Sequence, residues 1–555
     1  MGVEDLQRSK TKINSHLENI ARDSSQLPSK ESRNETAEQM HGEITLNKIK
    51  LKLEDFQANI VTEVNKKLEE MIEDVIQEMR LYELNASQFK DFARQQSNQI
   101  WSNRVKPESS GKRELPEKVF IPRQSYLTSL LEVNHMRGIY NIFFVIFSVV
   151  FLNLFIHDYV VHGKINFGFN TIRTGFGNLD KAIVLWIEMN LYTLCLFFAF
   201  KIWAYIRRVL NTGLKKFWDY TCLLTFISCQ MYFGYIVPVS TIKADLPLAS
   251  SSVVLLEMAR LMMKVHSFIR YNVPRQTAKK PKVDDDTPNS LTEGKVPSFS
   301  SYLYFLFAPT LIYRDSYPRT KRIRWIFVMK NLLELVAVIF FITFLHERYL
   351  RSYFGNFGKE KITLGQLTVS VFGMCAPGLM IYLCGFYSIL HASQNCTAEI
   401  LKFADRMFYK DWWTATNYVV FYRDWNVIVH DWLYEYIYKD CYKYVFKGSK
   451  FACGMCVFLV SALVHEYIIS FGFRFVYPAL FFFFTISSVV FLRILGNNKT
   501  SFGNFFLWWS LLVGNGVMVS LYCMEYYARQ NCPVGDSFKN YFIPVSWWCN
   551  GIVWS

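Results

Sequence analysis

In the stretch FACGMCVFLVSALVHEYIISF, two ionisable side chains, His465 and Glu466, sit deep in an apolar run. Ionisable groups at such depth are costly and usually face a cavity or a polar partner, which makes His465 a candidate catalytic base. A neutral histidine hydrogen-bonded between helices is the bland alternative. Ser461 lies four residues earlier, on the same face of a helix. Upstream, Asn426 and His430 are also four apart and share a face if VIVHDWLYEY is helical. Together these groups offer a base for a hydroxyl proton, an amide donor for a tetrahedral oxyanion and a basic approach for a phosphorylated donor. That set suits acyl transfer from a thioester to an alcohol, the base contributing about 10²- to 10⁴-fold. The sequence holds no G-x-S-x-G turn and no recognisable Cys–His pair, so direct transfer without an acyl-enzyme is the simpler route. It also holds no phosphate-binding Gly loop, zinc spacing or dinucleotide fingerprint.

The stretch from Phe408 to Asp440 packs twelve aromatic and eight charged residues into thirty-three positions. A soluble core rejects such charges and a lipid-facing helix rejects them more strongly. The mixture therefore predicts a membrane–water boundary, with rings at headgroup depth and charges reaching water.

Composition sets the class that must position these residues. Of 555 residues, 51% are hydrophobic and only 19% charged, which predicts an all-α, multispanning membrane protein. The net charge of +15 is spread over loops between apolar runs, which argues against nucleic acid and for anionic headgroups or an anionic substrate. Runs of bilayer-spanning length lie near 139–158, 183–206, 217–239, 325–346, 367–390, 451–472, 475–495 and 504–524. A ninth segment, 249–268, carries Glu257, Arg260 and Lys264, and hydropathy alone would omit it. Loop charge decides for it. With a cytosolic N-terminus and a crossing at 249–268, both Arg207, Arg208, Lys215, Lys216 and the basic linker 270–298 fall in the cytosol, as the positive-inside tendency asks. Nine spans then place 408–440 in the cytosol and 525–555 in the lumen.

Residues 1–118 are polar and begin without an apolar signal segment, so they are expected to stay cytosolic. Apolar residues at Ile49, Leu53, Phe56, Ile60, Val64, Leu68, Met71, Val75 and Met79 predict an amphipathic helix over about 44–80, used for self-association or for packing on the protein itself. Gln96 to Lys118 reads as a polar, Pro-containing linker, and 119–555 as the membrane domain. Ten of the twelve cysteines fall mostly inside apolar segments. Cys532 and Cys549 lie beyond the last apolar run, where a luminal tail permits a disulfide between them, two free thiols being the alternative. Sequons at Asn34, Asn85, Asn395 and Asn498 fall in cytosol or near the membrane under this topology and should be unused.

At this point FYKDWW (408–413), NVIVHDWLY (426–434) and SALVHEY (461–467), with LLEVNHMRGIY, HSFIRYNVPR, YLYFLFAPTLIYRDSYPR and YARQNCP, form a recognisable set. It resembles the sterol O-acyltransferase (acyl-CoA:cholesterol acyltransferase) branch of the membrane-bound O-acyltransferase (MBOAT) superfamily, over about three quarters of the chain. The resemblance implies the MBOAT fold, with a cytosolic tunnel for acyl-CoA and a lateral opening for sterol that meet at the buried histidine. It implies His465 as catalytic base with Asn426 beside it. It places Arg423, Asn426, His430, Tyr438, Lys450 and Ser461 at acyl-CoA and His135 at sterol, the signature being Phe408, Tyr409, Asp411, Trp412 and Trp413. For Arg423 and Lys450, ordinary headgroup contact is the alternative. Acyl-CoA is a co-substrate, no cofactor is implied, and the partners are acyl-CoA, membrane sterol, the endoplasmic-reticulum bilayer and further copies of the chain, as dimer or tetramer.

Two positions depart from the family pattern. Thr414 stands where the signature has Asn, and Val420 where related enzymes have a polar Asn. Threonine keeps a hydrogen-bonding hydroxyl and valine keeps none, so coenzyme affinity or acyl preference is expected to differ. Diacylglycerol O-acyltransferase shares the signature and chemistry, and a non-catalytic sterol-binding protein on the same helices is the alternative from another class. Transport would predict two similar halves with broken helices, and no such repeat is present.

Overall fold

The structure is a computed structural model that describes residues 104–105, 117–164, 166–277, 296–485, 501–533, 535, 538–549 and 552–553, with part of a helix between 50 and 73. Two compact units divide the chain, 1–102 and 103–555. In the first, the described residues between 50 and 73 are helical, and Leu51, Phe56, Met71 and Ile72 are exposed. The remaining apolar positions of the expected amphipathic face lie outside the described residues.

The second unit is a helical bundle. Its main helices are α1 (Asn134–His162), α2 (Leu179–Val209), α3 (Thr212–Lys243), α4 (Leu248–Thr277), α5 (Phe299–Phe307), α6 (Trp325–Phe354), α7 (Leu364–Ile400), α8 (Tyr418–Trp425), α9 (Val427–Leu433), α10 (Lys450–Phe473) and α11 (Ser501–Asn531). Two minimal ladders accompany them. Strand β1 (Arg104–Val105) pairs antiparallel with β2 (Glu117–Lys118), and β3 (Ile362–Thr363) pairs parallel with β4 (Ile552–Val553). The expected linker 96–118 is thus ordered at both described ends of 104–118, and Lys118 reaches Asp431 of α9 at 2.6 Å.

Among the described residues, seven helices are long and apolar enough to cross a membrane. These account for seven of the eight hydropathy spans, while 475–495 lies partly outside the described residues. The ninth expected span, 249–268, does form a long helix, α4, and contacts at its ends show how it runs. Beside its start, Asn178 and Lys181 at the head of α2 donate to the Asp245 and Ala244 carbonyls at the foot of α3 (2.9 and 3.2 Å). At its far end, Arg207 beside the α2–α3 turn donates to the Gln276 carbonyl at 2.9 Å. Helix α4 therefore runs from one end of the bundle to the other.

Its charges are satisfied inside. Arg260 pairs with Glu257 at 2.6 Å and donates to the Leu306 carbonyl at 2.7 Å, and Lys264 is fully buried with its ammonium on the Phe305 and Ala308 carbonyls. Those carbonyls belong to the last turn of α5 and the residue after it, where helix ends leave acceptors unpaired and carry partial negative charge. The cations that hydropathy counted against α4 cap a short helix end that has no water to turn to.

Van der Waals contact through small residues binds α7 to α11, since lipid offers no hydrophobic drive between helices. A Cβ on Gly516 would lie 2.6 Å from the Cys375 Cα, and one on Gly378 would lie 3.1 Å from the Asn515 carbonyl oxygen. Helix α11 also links the two ends of this unit. Near its start Asn504 and Trp508 donate to the Trp413 carbonyl (2.9 and 3.0 Å). Just past its end, Cys532 is joined to Cys549. The aromatic signature and the disulfide thus lie at opposite ends of a helix roughly 46 Å long at 1.5 Å per residue.

Candidate active site

The signature is buried, which corrects the boundary reading. Phe408, Tyr409 and Trp412 are at most 2% exposed and pack with Phe386, Phe421, Trp425 and Leu507 into one core. Charges are admitted to this core because each has a partner. Arg123 binds Asp405 at 2.6 Å, and Glu399 holds both Arg324 and Arg406 (2.9 and 2.6 Å). The Lys410 ammonium is 4.0 Å from Asp424. Burial lowers the Lys410 pKa, with Asp424 opposing the shift. Composition alone could not separate a headgroup layer from a core of paired charges.

The backbone of the lobe is pinned through the same residues. Lys410 N–H donates to the Asp424 carbonyl at 2.8 Å, and Val427 N–H to the Phe408 carbonyl at 2.9 Å. Tyr409 bonds His391 Nδ1 of α7 at 2.5 Å, and Asn395, one turn on, donates to Ser125 at 3.0 Å. Asn395 is buried and hydrogen-bonded, so its sequon has no access to a glycosylating enzyme.

Asn426 occupies the break between α8 and α9. Its Oδ1 accepts from Val429 N–H at 3.1 Å as the N-cap of α9, and its own carbonyl accepts from His430 N–H at 2.9 Å. Capping consumes the acceptor and fixes the side chain, so the Nδ2 donor pair is left to serve another group.

His465 lies on α10, fifteen residues and roughly 22 Å from Lys450. Its Nδ1 is 2.7 Å from the Ser461 carbonyl and 3.5 Å from the Ser461 hydroxyl. A carbonyl only accepts, so Nδ1 carries a proton, and in the neutral ring that leaves the lone pair on Nε2, the tautomer a base requires. Ser461 therefore acts on His465 chiefly through its backbone. Phe484 stacks on the imidazole with centroids 5.6 Å apart, and Tyr422 of α8 packs edge-on against Phe484 at 5.2 Å. These two rings bridge the α8–α9 elbow to His465, and sequence reasoning missed both because nothing in a run of phenylalanines marks one of them.

Glu466 faces the other way from its neighbour. It is buried, accepts from Phe481 N–H at 3.0 Å and lies 3.3 Å from the Tyr522 hydroxyl of α11. This brace fixes the rotation of α10 and hence the direction of His465.

The other candidates spread over one end of the bundle. Arg423 forks onto Asp424 (2.9 and 2.8 Å), a contact that raises its pKa further. His430 is 3.9 Å from Asp431. Tyr438 stacks between Tyr434 and Tyr442 (5.3 and 6.1 Å), and Lys450 is exposed at the head of α10. His135 is exposed on the first turn of α1 and shares no hydrogen bond, ion pair or ring contact with the other candidates. Thr414 donates to the Asp411 carbonyl at 2.8 Å and closes the turn that carries the signature tryptophans, while Val420 packs on the signature core. A cavity of about 440 Å³ between α2 and α3, lined by Tyr192, Thr225 and Ser228 among others, includes none of these residues. Among the described residues no group of His, Cys, Asp and Glu is placed to hold a metal ion.

His465 is exposed rather than buried as the resemblance implied, and the Phe484 and Tyr422 rings connect it to the elbow that carries Asn426. Residues 181–524 match the membrane-bound O-acyltransferase family. The chain belongs to that family and is an acyltransferase. Among its relatives, it is 38% identical to sterol O-acyltransferase 1 of Cricetulus griseus over 436 residues, 78% of each chain. It is likewise 38% identical to sterol O-acyltransferase 1 of Mus musculus (78% of this chain, 79% of the relative) and 36% identical to sterol O-acyltransferase 2 of Homo sapiens (78% and 81%).

Proposed function

We propose that this chain transfers a long-chain acyl group from acyl-CoA to the 3-hydroxyl of cholesterol or a related sterol, releasing CoA and a steryl ester. The observation that carries the reading is the His465 tautomer, whose Nδ1–H is spent on the Ser461 carbonyl. Nε2 takes the sterol hydroxyl proton as that oxygen attacks the thioester carbonyl. Asn426 Nδ2 donates to the developing oxyanion. When the C–S bond breaks, the proton on Nε2 passes to the departing thiolate, and the base is restored with no acyl-enzyme. Acyl-CoA is a co-substrate and no bound cofactor takes part. Relatives named for sterol acylation support the acceptor, and Tyr438, Lys450 and the exposed lysines between them support an anionic donor arriving from that end.

We further read the signature end as cytosolic and the Cys532–Cys549 end as the lumen of the endoplasmic reticulum, since a disulfide persists in an oxidising compartment. The exposed apolar residues of the 50–73 helix support a role in joining copies of the chain.

The test uses membranes of a host lacking its own sterol esterification, expressing this chain or its His465→Ala form, with labelled oleoyl-CoA and either cholesterol or diacylglycerol. Steryl ester that disappears in the variant is the expected result. Triacylglycerol would move the chain to the diacylglycerol branch. No product with either acceptor would overturn the substrate reading, and near-normal turnover in the variant would overturn the base.

A further inference from the structure

At the signature end, the chain after α9 runs through a wide turn over Cys441–Val445 before α10 begins. Cys441 Sγ lies 3.5 Å from Cys456 Sγ on α10, and both side chains are half-buried. A disulfide requires about 2.05 Å between sulfurs, so a closure of about 1.5 Å, within reach of side-chain rotation, would join them. The two thiols bracket a basic loop. Lys443, Lys447 and Lys450 are exposed on it, and it bends at Lys447 (φ 41°) and Gly448 (φ 99°). Tyr438, stacked on Tyr442, leads directly into it.

We propose that Cys441 and Cys456 are a reversible redox pair, and that their disulfide ties the turn to α10 and restrains the lysine loop through which an anionic co-substrate enters. The oxidant is a low-molecular-weight disulfide of the glutathione class. One protein thiolate attacks it, releasing one small thiol and leaving a mixed disulfide. The second protein thiol then displaces the other small thiol, so the protein loses two electrons and two protons while the oxidant becomes two thiols. The effect on the co-substrate rests on the function proposed above, whereas the disulfide itself does not.

Burial, the Cys456 and Cys453 thiols and the Asp440 carboxylate push the Cys441 pKa up to about 11. Thiolate is the reacting form, so at neutral pH the pair is slow to exchange, and the rate attributable to Cys441 rises about tenfold per pH unit as that value is approached.

The full chain in its membranes is incubated with oxidised glutathione from pH 7 to 9, blocked with N-ethylmaleimide, digested and read by mass. The expected result is a 441–456 linked peptide that forms faster at higher pH, with a rise of threefold or more in the KM for oleoyl-CoA. Dithiothreitol should reverse both, and Cys441→Ser and Cys456→Ser should abolish both while keeping basal turnover. Absence of the linked peptide at pH 9, or a Cys441–Cys453 link instead, would overturn the pair. A 441–456 link with unchanged KM, or a KM response that survives in Cys441→Ser, would overturn the restraint of the loop. A link formed in a chain that esterifies neither acceptor would overturn the proposed function and leave the disulfide standing.

Discussion

In the proposed mechanism His465 is the base, its Nδ1 held on the Ser461 carbonyl, and this makes its loss a clean perturbation. The imidazole bonds within its own helix and stacks on one ring, so His465→Ala removes little packing. Turnover should fall by about 10²-fold or more with the protein still folded and monodisperse on size exclusion. Asn426 is different because its amide caps α9 and, in the proposed mechanism, also donates to the oxyanion. Asn426→Asp keeps the cap of α9 and removes the donor, so turnover should fall about 10²- to 10³-fold while the melting temperature stays near that of the parent. Asn426→Ala loses the cap as well and should lower both. If the Asp variant turned over normally, the oxyanion role would be excluded. Tyr522→Phe tests the brace, since it deprives Glu466 and the Tyr477 carbonyl of a donor. A stability loss of about 1–3 kcal/mol is expected, measured as a shift in thermal unfolding in detergent.

At the scale of the element, helix α4 shows how charges in an apolar run are accommodated inside a helical bundle. Lys264→Met removes the cation and leaves the Phe305 and Ala308 carbonyls without their donor in a place that water does not reach. Each unpaired acceptor costs about 1–3 kcal/mol, so the variant should unfold at lower temperature and express poorly; a parent-like melting curve would show that the α5 terminus has another partner. The disulfide end has a comparable constraint. Gly358 has φ 89°, and a Cβ there would come within 2.7 and 2.8 Å of the Cys532 and Cys549 sulfurs. Gly358→Ala should therefore impair the Cys532–Cys549 linkage, seen as increased maleimide labelling of the denatured, unreduced chain.

At the largest scale, the second unit is organised by its two ends. Arg270 joins Asp440 at 2.8 Å, which puts the start of the basic linker beside the segment after the signature, while Arg474 joins Asp245 at 2.8 Å at the other end. An epitope inserted in the 278–295 linker and one appended after Ser555 should stain on opposite sides of the membrane after selective permeabilisation. Staining of both under the same condition would remove one crossing from the path.

Much of this was legible in the order of residues. Apolar runs of bilayer length, the histidine–carboxylate pair inside one of them and the asparagine four residues before a histidine are local patterns, and local periodicity is set by the chain itself. Loop charge alone pointed to a long helix at 249–268, because its own composition argued against one. What the tertiary structure decided was where polar groups find partners across long separations. It buried Phe408, Tyr409 and Trp412 where sequence predicted rings at headgroup depth, because Asp405, Glu399 and Asp424 neutralise arginines and a lysine brought from several segments. It also turned Glu466 toward Tyr522 and His465 toward Phe484. Hydropathy weighs each residue alone, whereas the cost of a buried charge depends on the partner, and partners are chosen by the fold.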